Sequence, residues 1–368
     1  MPQNTQKNNV IKIISGSKGQ FPIKLGIIPN KLAVSIYLHY ITVGGKSLPC
    51  WSYVSDGFIS LKQKEIAFTL QAQEGEDTSR FPTQPLQLFV WLFKYATQKS
   101  VQTGDVIKLG ETGLFGFPAL ACLFPLVEIP GAPYTRPTLC AILLTKDEFL
   151  TAHSYGLTRV VSRLGFEQKR YPCLAANARG RKSIDWQPAM QKSQLKQVPR
   201  TPLRQASVYM FGGEQVVLNL PVAARTALAN AFKKHPPNKS LCLLLQLQPQ
   251  HEGCLVWFAE TASTEMHMKT NASGESIAGS FILLEPGSGN DGASIVEDGF
   301  VMQFTPPQWQ TFVNAISAGQ FLQVQGTNGG MDFILTWGDQ PLFTGEESGN
   351  DDDSRGSIFK RWLKKFKK

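Results

Sequence analysis

The sequence predicts an α+β protein made of two αβ domains, in which mostly antiparallel sheets are flanked by helices. The chain has 368 residues, a comfortable length for two domains of ordinary size. Apolar residues make up 42% and charged residues 18%, so the chain can bury a large core without disulfide or metal support. Strand-like segments also alternate with helical ones in both halves.

Four segments define the first half. Alternating apolar and polar residues predict one strand at 32–41 and a second that ends at 66–70. Apolar residues at helical spacing predict a helix over 86–93. Residues 139–144 form a short apolar run, which predicts a buried strand.

A capped helix follows that buried strand. Thr145 and Glu148 have the spacing of a capping box, in which the threonine caps the first turn and the glutamate reaches back. The apolar residues then predict one helix over 149–164, with Gly165 placed to end it. His153 falls on the apolar side, so we interpret it as a core histidine rather than a ligand.

The second half repeats this succession. One helix begins at Pro221 and runs to about Lys234; another follows a capping Thr305 and ends at Gly319. The repeat fits either a distant duplication or two ordinary strand-to-helix junctions. The strand-like segments are 215–220, 241–247, 255–259, 280–284, 300–304, 321–325 and 332–337.

Composition sets the remaining boundaries. Residues 174–207 have few large apolar side chains and contain prolines, which predicts an irregular connector, and residues 285–298 resemble an exposed loop. The predicted parts are an N-terminal extension, a first αβ domain, a basic connector, a second αβ domain, an acidic flexible linker and a cationic amphipathic helix. Their ranges are 1–24, 25–173, 174–207, 208–344, 345–357 and 358–368.

The net charge of +9 is concentrated in two segments. Residues 159–204 hold eleven Lys or Arg against two acidic residues, and residues 355–368 hold seven basic residues and no acid. A nucleic-acid-binding protein more often spreads basic residues over a folded face, with stacking aromatics between them. Nucleic acid as a partner is therefore an alternative rather than the first interpretation.

The C-terminal segment is the strongest local signal. In a helix over residues 358–368, apolar side chains lie on one side and basic ones fill the rest. Such a helix suits an anionic membrane surface, but it could also dock onto a protein partner or onto the body of its own chain. The residues expected to make this contact are Ile358, Phe359, Lys360, Arg361, Trp362, Leu363, Lys364, Lys365 and Phe366.

Cysteine usage and hydropathy predict a cytoplasmic protein. The six cysteines include no C-x-x-C pair, which indicates buried reduced thiols. The polar N terminus lacks the apolar segment of a secretory signal. The longest apolar stretch is shorter than the roughly 18 residues that a membrane-spanning helix needs. We therefore expect a cytoplasmic location, with the C-terminal helix able to reach the inner face of a membrane.

No catalytic, cofactor or metal motif is recognisable in the sequence. A phosphate-binding loop ending at residues 45–47 would need glycine where Tyr40 stands. Residues 287–292 resemble a calcium loop, but Gly287 and Gly289 occupy positions that need oxygen ligands. We expect no enzymatic activity, no cofactor and no metal; an enzyme with a scattered, unrecognised site remains an alternative.

Residues 163–167 read Arg-Leu-Gly-Phe-Glu, and a Tyr-Pro-Cys stretch follows at 171–173. This pattern resembles the C-terminal domain family of the Smad anchor for receptor activation and endofin, in which a strand and a helix lead into such stretches. Earlier Cys-Trp, Gly and Glu-Ile positions agree with that family. The matching residues are Trp51, Gly57, Glu65, Leu164, Gly165, Tyr171, Pro172 and Cys173.

The same half also resembles the suppressor-of-fused domain family, as a stand-alone member of bacterial type. Residues 51–57 look like its aromatic strand, residues 85–95 like its helix before a Gly-Asp turn, and Thr145 with Glu148 like its Thr-Glu-Glu helix. Neither family brings agreed catalytic residues. The sequence also has no FYVE zinc finger or Smad-binding segment, so endosomal and signalling roles do not transfer.

The two resemblances imply a scaffold or regulator that binds other proteins, and bacterial members of the second group include immunity proteins that neutralise toxins. The hypothesis from sequence is therefore a non-enzymatic protein-binding adaptor or immunity-like regulator. Its two-domain body would hold an unidentified protein partner in a surface groove at the domain junction.

Overall fold

Three sheets and six α-helices make up the part of the chain that the structure describes. This arrangement confirms the predicted α+β class. No helix in this part is long and apolar enough to cross a membrane. The computed structural model describes residues 22–43, 46–110, 113–123, 138–168, 173–234, 238–248, 251–258, 263–268 and 274–338.

A seven-stranded sheet forms the first half, in the order β1-β2-β3-β4-β7-β6-β5. Only the β4–β7 pair is parallel, and the other neighbours are antiparallel. The strands are β1 (Ile23–Ile28), β2 (Leu32–Val43), β3 (Lys46–Asp56), β4 (Glu65–Gln71), β5 (Val106–Lys108), β6 (Ala119–Leu123) and β7 (Thr138–Leu144).

Helices cover both faces of this sheet. Helix α1 (Gln84–Ala96) begins with Pro85 in its first turn and buries Phe89 and Leu92 in a core that includes Val34 of β2. Helices α2 (Lys146–Tyr155) and α3 (Leu157–Glu167) pack on the opposite face, against the β6 and β7 side chains that point there.

The single helix predicted after Thr145 is in fact two helices. Helices α2 and α3 meet at Gly156, whose φ of 102° is a conformation that favours glycine. Gly165 lies inside α3 instead of ending the helix. His153 is exposed, so its interpretation as a core histidine was wrong. Extending one helical face through residue 156 produced both the single helix and the placement of His153 in the core.

Residues 174–207, predicted to be an irregular connector, contain helix α4 (Gln187–Lys192) and strand β8 (Arg200–Pro202). Asn177 lies against the parallel β4–β7 pair. Its Nδ2 donates to the carbonyl oxygens of Thr69 and Ala141 at 3.0 Å, and its Oδ1 accepts from the Leu143 N–H at 2.7 Å. The Asn177 amide thus supplies hydrogen-bond partners to three buried backbone groups, a role that needs no large apolar side chain.

Two sheets and two helices form the second half. One sheet has the order β13-β12-β14-β9-β10-β19-β18 and the other β16-β17-β15-β11-β8. Helices α5 (Ala224–Lys234) and α6 (Pro306–Ala318) complete it. The strands are β9 (Ser207–Phe211), β10 (Gln215–Leu220), β11 (Leu241–Leu244), β12 (Gly253–Phe258), β13 (Ser263–Met268), β14 (Ser276–Gly279), β15 (Phe281–Pro286), β16 (Gly292–Val296), β17 (Gly299–Phe304), β18 (Leu322–Val324) and β19 (Asp332–Trp337).

The segment predicted as an exposed loop, residues 285–298, contains strand β16. Asp291, next to the calcium-like glycines, accepts from the N–H of Thr305 at 2.7 Å and from its hydroxyl at 3.1 Å. Thr305 occupies the N-cap position of α6, but its own side chain makes no capping hydrogen bond. The carboxylate of Asp291 therefore anchors the start of helix α6.

Candidate protein-binding cleft

A buried ion-pair network around Arg159 of α3 joins the two halves. Its Nε and Nη2 donate to the Asp298 carboxylate at 2.5–3.0 Å, and Nη2 also donates to Glu297 Oε2 at 2.8 Å. Its Nη1 donates to Ser193 Oγ at 3.2 Å. The Arg159, Glu297 and Asp298 side chains are 2%, 5% and 2% exposed. The network thus holds α3, the segment before β8 and the β16–β17 turn together.

The charges in this network depend on one another. Burial raises the pKa of Glu297, because the cost of desolvating its carboxylate exceeds the favourable effect of the Arg159 charge. Burial alone would lower the pKa of Arg159, but the carboxylates of Asp298 and Glu297 raise it. Arg159 therefore stays charged, and its removal would leave two carboxylates buried without the charge that balances them.

Further contacts extend this junction along α3. The Thr158 hydroxyl donates to the Leu245 carbonyl oxygen at 2.6 Å. The rings of Phe166 and Phe258 meet edge to face with centroids 4.8 Å apart, and the Arg163 guanidinium lies 3.6 Å from the Phe258 centroid. Polar, apolar and cation–π contacts therefore all bind the two halves together.

A cleft of about 330 Å³ opens beside these contacts, between α3 and β5 of the first half and residues 202–204 and 244–247 of the second. This volume is at the lower end of the roughly 300–1,000 Å³ typical of ligand sites. The aliphatic side chains that line it include Leu157, Val161 and Leu245, of which the last two are buried.

One wall of the cleft leaves no room for a side chain at residue 104. Gly104 has a φ of 84°, and a Cβ there would lie 1.8 Å from Gln246 Nε2. That Nε2 donates to the Thr103 carbonyl oxygen at 3.1 Å, and Gln246 Oε1 accepts from the Gln205 N–H at 2.9 Å. Gln246 therefore holds the loop before β5 against the second half.

Charged side chains stand at the rim of the cleft. Arg204 forms an ion pair with Asp105 at 2.8 Å and donates to Gln102 Oε1 at 2.7 Å. Asp105 is 8% exposed, whereas Lys99 and His153 are exposed. In the described part of the chain, the exposed ionisable groups that line the cleft are therefore basic.

Two edge strands also line the cleft. Strand β5 ends the first sheet and β8 ends the five-stranded sheet. Leu109 N–H donates to the Pro118 carbonyl oxygen, so the odd-numbered residues around β5 pair with β6. Val106 and Lys108 consequently turn their backbone groups to the outer edge. On β8, Pro202 has no N–H to offer, which leaves β5 as the edge better suited to accept another strand.

Two residues expected from the family resemblance, Trp51 and Glu65, are buried in the first half, and Gly57 lies in the turn after β3. Glu65 is 2% exposed, and its Oε1 accepts from the N–H groups of Gly57 at 2.9 Å and Ile59 at 3.1 Å. The Ser55 hydroxyl also donates to this carboxylate. Trp51 is fully buried. The Glu65 carboxylate holds the turn after β3, and neither Glu65 nor Trp51 lines the cleft.

Thr145 and Glu148 form the capping box predicted for them. The Glu148 N–H donates to Thr145 Oγ1 at 3.4 Å, and the Thr145 N–H donates to Glu148 Oε2 at 2.9 Å. The buried Glu148 carboxylate also accepts two hydrogen bonds from Arg181, at 2.6 and 2.7 Å. The remaining family-matching residues in the described part, Leu164, Gly165 and Cys173, are buried.

Several predicted residues lie outside the described part of the chain. They are Tyr171, Pro172 and the whole C-terminal segment 358–368 with its nine expected contact residues. Their expected contacts with a membrane or partner stay predictions.

A buried polar chain crosses the first sheet. His39 Nε2 lies 2.7 Å from Ser52 Oγ, which lies 2.7 Å from Thr69 Oγ1. Burial lowers the pKa of His39. Because His39 is 5% exposed and Ser52 fully buried, this chain is closed to a substrate, and we assign it to the fold. Among the described residues, no group of His, Cys, Asp and Glu is arranged to hold a metal ion.

The basic segment 159–204 directs most of its described arginines into the fold. The guanidinium of Arg200 donates to the Leu195 carbonyl oxygen at 2.6 Å and lies over the Tyr155 ring. These contacts do not favour the nucleic-acid alternative. The ion pairs made by the other arginines are Arg159–Glu297, Arg159–Asp298, Arg163–Glu167, Arg179–Glu76, Arg181–Glu148 and Arg204–Asp105.

Neither the ion-pair network nor the set of residues that lines the cleft was predicted from the sequence. One signal was available, because Arg159 directly precedes Val160 and Val161 on the apolar face of its helix. An arginine among core positions is seldom buried without a carboxylate partner. Its partners, Glu297 and Asp298, looked like loop residues because they follow a stretch rich in Gly, Asn and Asp.

Comparison with known proteins finds similarity over parts of the chain. No protein-family model matches it. The mouse (Mus musculus) Zinc finger FYVE domain-containing protein 16 is 33% identical over 141 residues. This match covers 36% of the chain but only 9% of the mouse protein.

Two solved structures are also similar. Drosophila Suppressor of Fused has a TM-score of 0.36 and 12% identity, with 83% of this chain and 88% of that chain covered. A chain from the Sufu-Fu complex has a TM-score of 0.37 and 16% identity, with 45% and 85% covered. The chain thus shows partial sequence similarity to a FYVE-domain protein and distant structural similarity to Suppressor of Fused.

Proposed function

We propose that the chain is a non-enzymatic protein-binding adaptor or immunity-like regulator, and that it holds an extended segment of a partner in the cleft between its halves. The observation that carries this proposal is that β5, an edge strand with outward-facing backbone groups, lines the cleft. Backbone hydrogen bonds to such an edge bind a strand, while adjoining pockets accept its side chains.

The junction supports the proposal because it keeps both walls of the cleft in place. Arg159 and Thr158 belong to α3, the helix that supplies Leu157 and Val161 to the lining. A preformed site loses less conformational entropy on binding than one that must be ordered by its ligand. The similarity to a protein solved as the Sufu-Fu complex is compatible with a protein partner.

The experiment is a selection of linear peptides from a random display library on the full chain, followed by affinity measurements with Val106→Pro. The Val106 N–H faces the outer edge, so proline removes a donor for an incoming strand but no bond to β6. We expect selected peptides to bind this variant at least tenfold more weakly. The control is Leu150→Ala on the exposed side of α2, which should bind as wild type.

Equal affinity of all selected peptides for wild type and Val106→Pro would contradict binding at the β5 edge. Circular dichroism and thermal unfolding of both variants would show whether the fold is retained, so that a loss of affinity is assigned to the edge.

The cationic segment 358–368 forms a separate part of the proposal, in which it contacts an anionic membrane surface or the partner. Its attraction to such a surface would be on the order of 1 kcal/mol per basic residue. Co-sedimentation of the full chain with phosphatidylserine vesicles should exceed that of a chain ending at Gly345. Equal co-sedimentation would contradict a membrane role for this segment.

A further inference from the structure

The rim of the cleft has a surplus of positive charge. Lys99 lines the cleft and Lys108 lies on the adjoining strand β5, and both are exposed. Within the described residues, no carboxylate forms an ion pair with either lysine. The carboxylate that does line the cleft, Asp105, is buried and already binds Arg204 and the Gln102 N–H.

We propose that the cleft selects an acidic partner segment, in which an Asp or Glu follows or precedes an aliphatic or aromatic residue. The carboxylate would meet Lys99 and Lys108 at the rim, while the apolar neighbour lies against the half-buried Leu157 of the lining. This inference rests on the proposed function, and it specifies the chemistry of the segment that the cleft accepts.

Charge complementarity supports this occupant over a neutral or basic one. A basic segment would bring like charges together at the rim, which costs affinity and slows association. An apolar segment would displace water from the rim lysines without replacing its hydrogen bonds. An acidic residue beside an apolar one avoids both costs.

The test uses the peptides selected from the random display library on the full chain. We expect enrichment of Asp or Glu next to an apolar residue, and an affinity that weakens as salt rises. Lys99→Glu and Lys108→Glu should each weaken binding about fivefold, since a rim ion pair contributes up to about 1 kcal/mol. Lys46→Glu, an exposed lysine of β3 outside the cleft, is the matched control and should leave affinity unchanged.

A charge-swap measurement sharpens the result. A peptide whose acidic residue is replaced by lysine should bind the Lys99→Glu/Lys108→Glu double variant more tightly than it binds wild type.

The outcomes separate this inference from the proposed function. Some selected peptides could bind Val106→Pro more weakly and yet not be enriched in acidic residues, or bind the lysine variants as tightly as wild type. Either result would overturn the acidic preference and leave the cleft as the binding site. If selection yields no peptide sensitive to Val106→Pro, both proposals fail.

Discussion

Replacement of Arg159 by methionine should weaken the junction between the halves more than any neighbouring substitution. Methionine keeps much of the aliphatic stem but removes all hydrogen bonds of the guanidinium. Glu297 and Asp298 then remain in a site where their side chains are 5% and 2% exposed. Their charges then repel each other without the donors that the guanidinium supplied.

The expected cost is about 3–5 kcal/mol, the range measured when one partner of a buried ion pair is removed. Asp298→Asn should cost less, because Arg159 keeps Glu297 as a counter-charge and the amide keeps the shape of the site. The triple variant Arg159→Met, Glu297→Gln, Asp298→Asn should recover most of the loss, since it removes every buried charge together.

Urea unfolding followed by tryptophan fluorescence measures this effect. Trp257, one of the seven tryptophans, lies at the junction, with its ring centroid 5.3 Å from the Arg159 guanidinium. We expect a lower urea midpoint for Arg159→Met, and an early transition in which the halves separate before each unfolds. A loss in the free energy of unfolding of under about 1 kcal/mol would refute the conclusion that Arg159 holds the two halves together. A triple variant no more stable than Arg159→Met would refute it as well.

Three further predictions concern single groups. Burial lowers the pKa of His251 from 6.5 to about 3, so its contribution to stability is complete above pH 6.5 and is lost as the pH falls toward 3. Urea titrations should show a loss of about 2 kcal/mol in the free energy of unfolding between pH 6.5 and 5. His251→Phe should remove this pH dependence. If the pH dependence of stability is the same in the variant as in wild type, a buried neutral ring at His251 is contradicted. Gly57→Ala should cost about 1–3 kcal/mol because its Cβ would lie 2.3 Å from the Lys31 carbonyl oxygen, whereas Gly26→Ala, with open space around it, should stay within about 0.5 kcal/mol. Thr145→Ala should lower the free energy of unfolding by about 1 kcal/mol, and no change would mean that the capping box does not stabilise α2.

Patterns confined to a few neighbouring residues were readable from the sequence. Alternation predicted β2 and β4, helical spacing predicted α1, and the Thr145 to Glu148 spacing predicted a capping box that the structure contains. These features arise from contacts within one turn or one strand, so the local order of residue types is enough to specify them. The α+β class follows from the same local patterns.

The break at Gly156 and the role of Asn177 depended on tertiary structure. A glycine in a helical pattern is compatible with continuation or with a break, and the packing of α3 against the second half decides between them. Asn177 looks like a connector residue in the sequence. Its side chain hydrogen-bonds three backbone groups of β4 and β7, which come together only when those strands pair.

The junction and the cleft are the features that sequence patterns predict least. Arg159 and Asp298 are 139 positions apart, and no local pattern relates an arginine on an apolar helix face to two acids after a polar turn. The cleft likewise exists only because β5, α3 and the segment after β8 are brought together by folding. Sequence patterns determined which elements form, whereas the pairing of distant charges and the space left between the halves were decided by tertiary packing, which brings distant residues into contact.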